Sequence, residues 1–364
     1  MDFAFTPEQE ALRDLARQIL GDRLSHLRLK AVEAEPDWFD RDAWAELATA
    51  NLLGVALPER VGGGGLGFVE LALVLEAVGW TAAPLPAWAT LVCGALPIVR
   101  FGSAAQQAEW LPGVARGEVV LGAGLVEDGN DDPLAPRTTA RRDGAGWRLD
   151  GTKHFVSAAH LAARLVIAAK TADGAGLFLV DPKARGVALE RQVVISGEPQ
   201  HTVTLTGAAG EPLDGGTGAL AWTWERALAG LCSMQVGHVD RALRMTAEYT
   251  SKREQFNKPL ATFQAVAQRA ADAYIDVEAI RWTAWQAAWR LGEELPASDE
   301  VAIAKFWASD AGHRVVYAAT HLHGGMGIDL DYPLHRYYLR AKHVELALGS
   351  AQRQLLRLGA ELAR

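Results

Sequence analysis

The feature that most constrains this chain is a change of texture that occurs twice. Up to residue 118 apolar side chains recur at helical spacing, over 119–205 they come in short β-rich runs, and from Leu220 onward the helical period returns. A helix keeps one face apolar by repeating every three to four residues and a half-buried strand by alternating, so one pattern cannot serve the other structure. In the first stretch Leu12, Leu15, Ala16 and Ile19 follow a Thr6 cap and an acidic first turn, which predicts an amphipathic helix over 6–20. Residues 42–53, 68–80 and 86–101 read as further helices, and 104–117 as a polar-faced helix closed by glycine. The four consecutive glycines at 62–65 read as a flexible loop. No Lys-Ser or Lys-Thr pair follows them and no strand–helix unit frames them, as a phosphate cradle requires.

In the middle stretch, residues 119–126, 138–142, 147–149, 154–157, 165–169, 177–180, 187–189 and 202–205 are strand candidates separated by Gly, Asp and Pro. They predict an antiparallel sheet or barrel. After Leu220 the helical pattern breaks at 257–259, 292–296 and 324–333, which leaves four long helices. The expected fold is α+β and mostly α: an N-terminal helical domain over 1–118, a middle β-barrel or sandwich over 119–219 and a C-terminal four-helix bundle over 220–364.

One stretch, YTSKREQFNKPLATFQ at 249–264, interrupts the last helical region. Asn257, Lys258 and Pro259 stop helical winding, because proline lacks the amide hydrogen and restrains the residue before it, and the next helix is expected near Phe263. A guanidinium at such a corner (Arg253), with the amides of Gln255 and Gln264, suits a phosphate-bearing ligand, since arginine offers a planar fork of donors. An exposed arginine beside a buried phenylalanine is the plainer reading. Trp282, Trp285 and Trp289 share one helical face and read as core or subunit interface.

Composition narrows the function. With 364 residues, 49% of them hydrophobic and 22% charged, the chain can bury a large core and is not disordered. A formal net charge of −8 argues against a nucleic-acid partner. Cys93 and Cys232, the only cysteines, lie in separate apolar contexts and offer neither a disulfide framework nor a metal site. No apolar run reaches the roughly 18 residues of a membrane span, and the opening MDFAFTPEQE lacks a basic start and apolar core. A soluble, untargeted, cytoplasmic protein is expected.

The 249–264 stretch resembles the signature of the acyl-CoA dehydrogenase family, an Arg-x-Gln-Phe-Gly run followed by Phe-Gln. Arg253, Gln255, Phe256, Phe263 and Gln264 match, and Asn257, which tolerates positive φ, replaces the glycine. HLHGGMG at 321–327, DYPLHR at 331–336 and the pair Ala341, Lys342 match farther on, and the likeness begins at Asp2, Phe3, Pro7, Glu8 and Gln9. It is nearest to a bacterial branch of unlike paired subunits acting on steroid side-chain CoA thioesters, which shares the Tyr-Pro-Leu-His-Arg-Tyr run.

The resemblance implies FAD as cofactor, an acyl-CoA thioester as substrate and a separate electron-transfer acceptor. In that family a carboxylate removes the α-proton while hydride leaves the β-carbon for the flavin. Arg253 and Gln255 match positions that hold the FAD diphosphate, Phe256, Phe263 and Gln264 positions around the nucleotide, and Gly324 and Gly325 a close backbone approach to the cofactor. His321 replaces the usual glutamine. GTKHFVSAA at 151–159 matches a flavin-side motif in part, with Phe155 able to cover a flavin ring and Ser157 to hydrogen-bond it. LVEDGND at 125–131 stands where the family writes Thr-Glu-Pro-Gly-Ala-Gly-Ser. The hydroxyls are gone, and three acids would repel a diphosphate if they faced it.

Counting from Ala341 and Lys342 puts Leu348 where most members carry the glutamate base. Leucine cannot accept a proton, so the catalytic residue is unassigned. Glu225, near the start of the helix leading to Arg253, is the candidate from this chain, or else an acid that favours a helix N-terminus. Three readings follow: a subunit contributing part of a shared flavin site in a hetero-oligomer, a self-sufficient homo-oligomer using Glu225, or a non-catalytic structural subunit with little or no FAD.

Overall fold

The computed structural model describes residues 4–144 and 146–363, so the Asp2 and Phe3 of the opening match lie outside the described residues. Helices α1 (Pro7–Arg23), α2 (His26–Ala34), α3 (Arg41–Thr49), α4 (Phe68–Trp80), α5 (Leu96–Phe101) and α6 (Ala104–Ala115) come first. Strands β1 (Leu121–Gly124), β2 (Thr139–Asp143), β3 (Gly146–Ser157), β4 (Arg164–Thr171), β5 (Gly174–Val180), β6 (Val187–Gln192) and β7 (Gln200–Pro212) follow. The last part holds α7 (Gly216–Lys252), a hairpin of β8 (Glu254–Gln255) and β9 (Lys258–Pro259), then α8 (Gln264–Gly292), α9 (Ser298–His323), α10 (Leu334–Leu346) and α11 (Ala351–Leu362). This is the expected α+β succession of helices, sheet and helices. Thr6 caps α1 as its sequence predicts: its hydroxyl accepts from Gln9 N and the Gln9 side chain accepts from Thr6 N, two otherwise orphaned donors satisfied reciprocally.

The chain forms two compact units. One comprises α1, the first half of α2, α4 and everything from Leu228 onward; the other comprises 31–67 and 84–227. In the second unit the sheet closes on itself, because β5 pairs with both β4 and β7 while β2 and β3 link β4 to β7. Side chains alternating along β4 (Leu165, Ile167, Ala169) meet Phe178 and Val180 of β5 and Val203 and Leu205 of β7 in one buried core. Most pairings are antiparallel, as the strand pattern implies, with a difference at one side: β1 and β2 run parallel to β4. Two intervening strands form a hairpin, which returns the chain in its original direction before β4 begins.

The glycine loop is also corrected, since it is pinned rather than flexible. Gly63 N donates to Pro58 O, Gly64 N to Gly54 O, Gly65 N to Leu57 O and Leu66 N to Val55 O. A Cβ on Gly63 would lie 2.1 Å from Leu57 O, so the glycines are there to let two backbones approach.

In the first unit α4 crosses α7 with backbones in contact. A Cβ on Gly79 would lie 2.0 Å from Met234 O, and one on Gly237 2.1 Å from Glu76 O. Of the tryptophan stripe on α8, Trp285 packs edge-on against Phe5 and donates to Glu76, whereas Trp282 and Trp289 stay 45% and 42% exposed, so the stripe is not core within this chain.

Because backbone atoms cannot yield as a side-chain end can, Gly237→Ala is expected to destabilise the fold by about 1–3 kcal/mol in urea unfolding. Gly359→Ala, on α11 with nothing within 4 Å of the added carbon, should instead be neutral or stabilising by about 0.5–1 kcal/mol.

Candidate functional site

The 249–264 stretch folds as a hairpin rather than a simple corner. α7 ends at Lys252, and the turn between β8 and β9 puts Phe256 and Asn257 at φ 53° and 62°. Leu260 N donates back to Arg253 O at 2.8 Å, which closes the loop across Pro259. Asn257 takes the left-handed role its sequence position suggested; Phe256 pays a steric cost of about 1–2 kcal/mol to do the same. The result is a phenylalanine 87% exposed at a rigid tip, edge-on to Phe263 with ring centroids 6.2 Å apart, while Lys258 Nζ stands 4.3 Å above the Phe263 ring.

Behind the hairpin, Glu248, Tyr249, Lys252, Arg253 and Tyr332 line a cavity of about 330 Å³. Its floor is aromatic. Tyr249 stacks on His323 with centroids 4.4 Å apart and planes 22° from parallel, and His323 in turn meets Tyr332. His323 Nδ1 lies 2.8 Å from Ala319 O and Nε2 3.2 Å from the Tyr332 hydroxyl. Burial pushes the imidazole pKa down, against the pull of the Ala319 carbonyl. A neutral ring that donates from Nδ1 must accept at Nε2, so Tyr332 donates to it and keeps its oxygen lone pairs for the cavity. Two cations, set against the one carboxylate of Glu248, with aromatic rings and a phenolic acceptor, could hold a purine ring bearing a diphosphate.

The other residues singled out from sequence are distributed as follows. Gln255 is exposed on β8 with its amide on Glu254 O, and Gln264 is exposed at the first turn of α8. His321 is exposed on the last turn of α9 and does not join the cavity's aromatic floor. His323, two places on, is buried beneath that floor against Tyr249, and was missed because residues two apart on a helix point to nearly opposite sides. Gly324, at φ 60°, and Gly325 have nothing within 4 Å of an added Cβ, so their backbone is open to close approach. Glu225 is half-buried on the part of α7 that belongs to the second unit.

In the second unit Phe155 sits on a bulge, where His154 and Phe155 of β3 oppose Thr202 of β7. At φ 55°, with its N–H bound to Gln192 Oε1, the ring is re-aimed outward and 54% exposed. Ser157 is buried and its oxygen accepts from Gln200 Nε2 at 3.0 Å. The acidic loop is less repulsive than its sequence suggests, since Glu127 folds inward. Its carboxylate accepts from the fully buried Lys153 Nζ at 2.6 Å, from Arg137 N at 2.6 Å, Thr138 N at 2.8 Å and Asn130 Nδ2 at 3.0 Å. The same loop satisfies its own amides elsewhere, Asp132 N on Asn130 Oδ1 and Leu134 N on Asp132 Oδ1. These amides are therefore already occupied by the chain itself.

After α10 the chain makes a corner in which Leu348 and Gly349 adopt φ 55° and 99°. Glu345, the nearest acid, is engaged by Lys342 Nζ at 2.6 Å and lies 3.5 Å from His313 Nδ1.

Residues 6–118 match the acyl-CoA dehydrogenase N-terminal domain, and residues 214–363 the acyl-CoA dehydrogenase C-terminal domain. The chain belongs to the acyl-CoA dehydrogenase family, oxidoreductases whose cofactor is FAD. It is 37% identical over 373 residues to the acyl-CoA dehydrogenase FadE27 of Mycobacterium tuberculosis, covering 100% of this chain and 99% of that protein. FadE28 of the same organism is 36% identical over 362 residues, covering 99% and 98%. Among solved structures, a chain from a variant of the Tcur3481–Tcur3483 steroid ACAD superposes with a TM-score of 0.94 and 45% identity over 98% of each chain. A chain of the ChsE4–ChsE5 complex from Mycobacterium tuberculosis superposes with a TM-score of 0.96 and 38% identity, over 100% of this chain and 99% of that one. No helix among the described residues is long and apolar enough to cross a membrane.

Burial alone would raise the Glu127 pKa, but the bonds from Lys153, Thr138 and Arg137 outweigh it and bring it from the ordinary 4.5 to about 2. A depressed carboxyl stabilises the fold above its unfolded pKa and loses that contribution as pH falls through the folded one. Urea unfolding should therefore show stability falling between about pH 4.5 and 2 by roughly 2–3 kcal/mol, and Glu127→Gln should remove that limb while lowering stability at neutral pH.

Proposed function

We propose that this chain is one subunit of a hetero-oligomeric acyl-CoA dehydrogenase and contributes the adenine-diphosphate half of a shared FAD site. Arg253 and Lys252 would hold the diphosphate, Tyr249 and Tyr332, backed by His323, the adenine, and Phe256 and Phe263 the flank of the nucleotide. Gln255, Gln264 and the open backbone of Gly324 and Gly325 complete that half. When bound, FAD supplies the acceptor for the hydride removed in α,β-dehydrogenation of an acyl-CoA thioester.

The observation that carries this reading is Leu348, an apolar side chain on a left-handed corner where the family's base belongs by spacing. A homologous partner would provide the carboxylate, and also the flavin-side loop whose counterpart here already engages its own amides through Glu127, Asn130 and Asp132. The similar proteins described as Tcur3481–Tcur3483 and ChsE4–ChsE5 pair two differently named chains, and the first is called a steroid ACAD. That supports an unlike partner and a bulky polycyclic acyl thioester as substrate; a cytoplasmic location and a separate acceptor for the reducing equivalents complete the reading.

Expressed alone, the chain should retain little FAD and bleach no bound flavin with acyl-CoA esters; combined with its partner it should carry about one FAD per unlike pair. Near-full FAD and rapid anaerobic bleaching by the isolated chain would instead favour Glu225 as base, and no flavin with any partner would favour a structural subunit. Within the pair, Arg253→Ala should weaken FAD retention by about ten- to a hundredfold, the loss of a charge-assisted contact worth about 1.5–3 kcal/mol. Unchanged flavin absorbance after dialysis would remove Arg253 from the site.

A further inference from the structure

Lys305, on α9, is completely buried, and no carboxylate oxygen pairs with it among the described residues. Its Nζ donates instead to Ser309 Oγ at 2.7 Å, Val344 O at 2.8 Å and Gly349 O at 2.9 Å, with Glu345 O at 3.3 Å. Ser309 Oγ also reaches Glu345 O at 3.3 Å. An ammonium has three N–H bonds, and the three short contacts take all of them. Ser309, having accepted one, still has its own proton to give to Glu345 O. Val344 O and Glu345 O belong to the last turn of α10, whose carbonyls have no partner within the helix. Gly349 O belongs to the corner where Leu348 and Gly349 are left-handed, a conformation that persists for leucine only if its surroundings over-determine it.

We propose that Lys305 is a positioning residue whose ammonium, relayed through Ser309, clamps the 344–349 corner and holds Leu348 in its left-handed conformation, and that loss of the ammonium proton loosens it. The hydrogen-bond count requires this response. A neutral amine keeps two N–H bonds and gains a lone pair, its proton passing to solvent. The two N–H bonds stay on Val344 O and Gly349 O, Ser309 turns its hydroxyl proton to the lone pair, and Glu345 O loses the hydroxyl donor.

The titratable groups facing Lys305 are Cys232 on α7, whose thiol burial raises to about 12, and Glu345 on α10. Lys342 and His313 lie beyond Glu345, and Arg353 of α11 flanks Gly349. Burial drives Lys305 down to about 8, while Cys232 and Glu345 pull it back up. Under mildly alkaline conditions the clamp therefore loses its hold on Glu345 O, and the corner is left on the two bonds to Val344 O and Gly349 O alone. This holds whether or not the corner faces a flavin site.

Amide hydrogen exchange of the full chain between pH 7 and 9.5, corrected for the intrinsic base-catalysed rate, tests it. Protection of residues 345–350 should fall by about fivefold or more, with a midpoint near pH 8, while peptides from the β4–β5 core show no such step. Lys305→Met should leave the corner poorly protected at every pH and abolish the step. If that variant does not fold, Ser309→Ala, which removes the relay and leaves Glu345 O only the 3.3 Å contact to the ammonium, should shrink the step by about twofold or more in a folded chain. A parent without the step, or an unchanged step in either variant, would overturn the proposal.

Discussion

The end of the molecule that carries Arg253 depends on how closely α4 and α7 approach. Two glycines, Gly79 and Gly237, let these helices meet backbone to backbone, where any other residue would wedge them apart. The end of α7 presents Tyr249, Lys252 and Arg253 in one place.

Polar groups organise both units in the same manner, by being consumed internally. In the β unit Glu127 gathers a buried lysine and two backbone amides, and in the helical unit Lys305 gathers three carbonyl groups and a hydroxyl. Each is a charged group withdrawn from solvent with nearly every hydrogen-bonding valence filled, the condition under which buried charge stabilises a loop rather than weakening a core. The difference lies at the Arg253 end, where the donors project into an open cavity.

How legible this was from the sequence depends on the range of the interaction. Helices with a 3.6-residue period, the Thr6 cap and the break at Asn257 to Pro259 are local, and they stood where the residues implied. The parallel pairing of β1 with β4 was not, because it is set by what lies between the strands rather than by either one. Glu127 looked like an exposed acid since its partner Lys153 is 26 residues away, and the glycine run looked loose because its partners, Gly54 to Pro58, carry no signature. Arg253, singled out by its motif, does line the cavity, whereas His323, which backs Tyr249, was hidden behind the more conspicuous His321. Only the direction each ring takes from α9 distinguishes them.

Phe256 adds a consequence for how such a chain must be produced in a cell. A large aromatic ring held outward on a stiff, two-residue turn has little freedom to fold back and shield itself. Whatever covers it gains apolar contact without first having to order it, so correct assembly is rapid, but so is adhesion to the wrong surface. In a hetero-oligomer of the proposed kind, a chain made in excess of its partner would keep that ring bare and so be open to chaperones and proteases, which would favour balanced synthesis of the two.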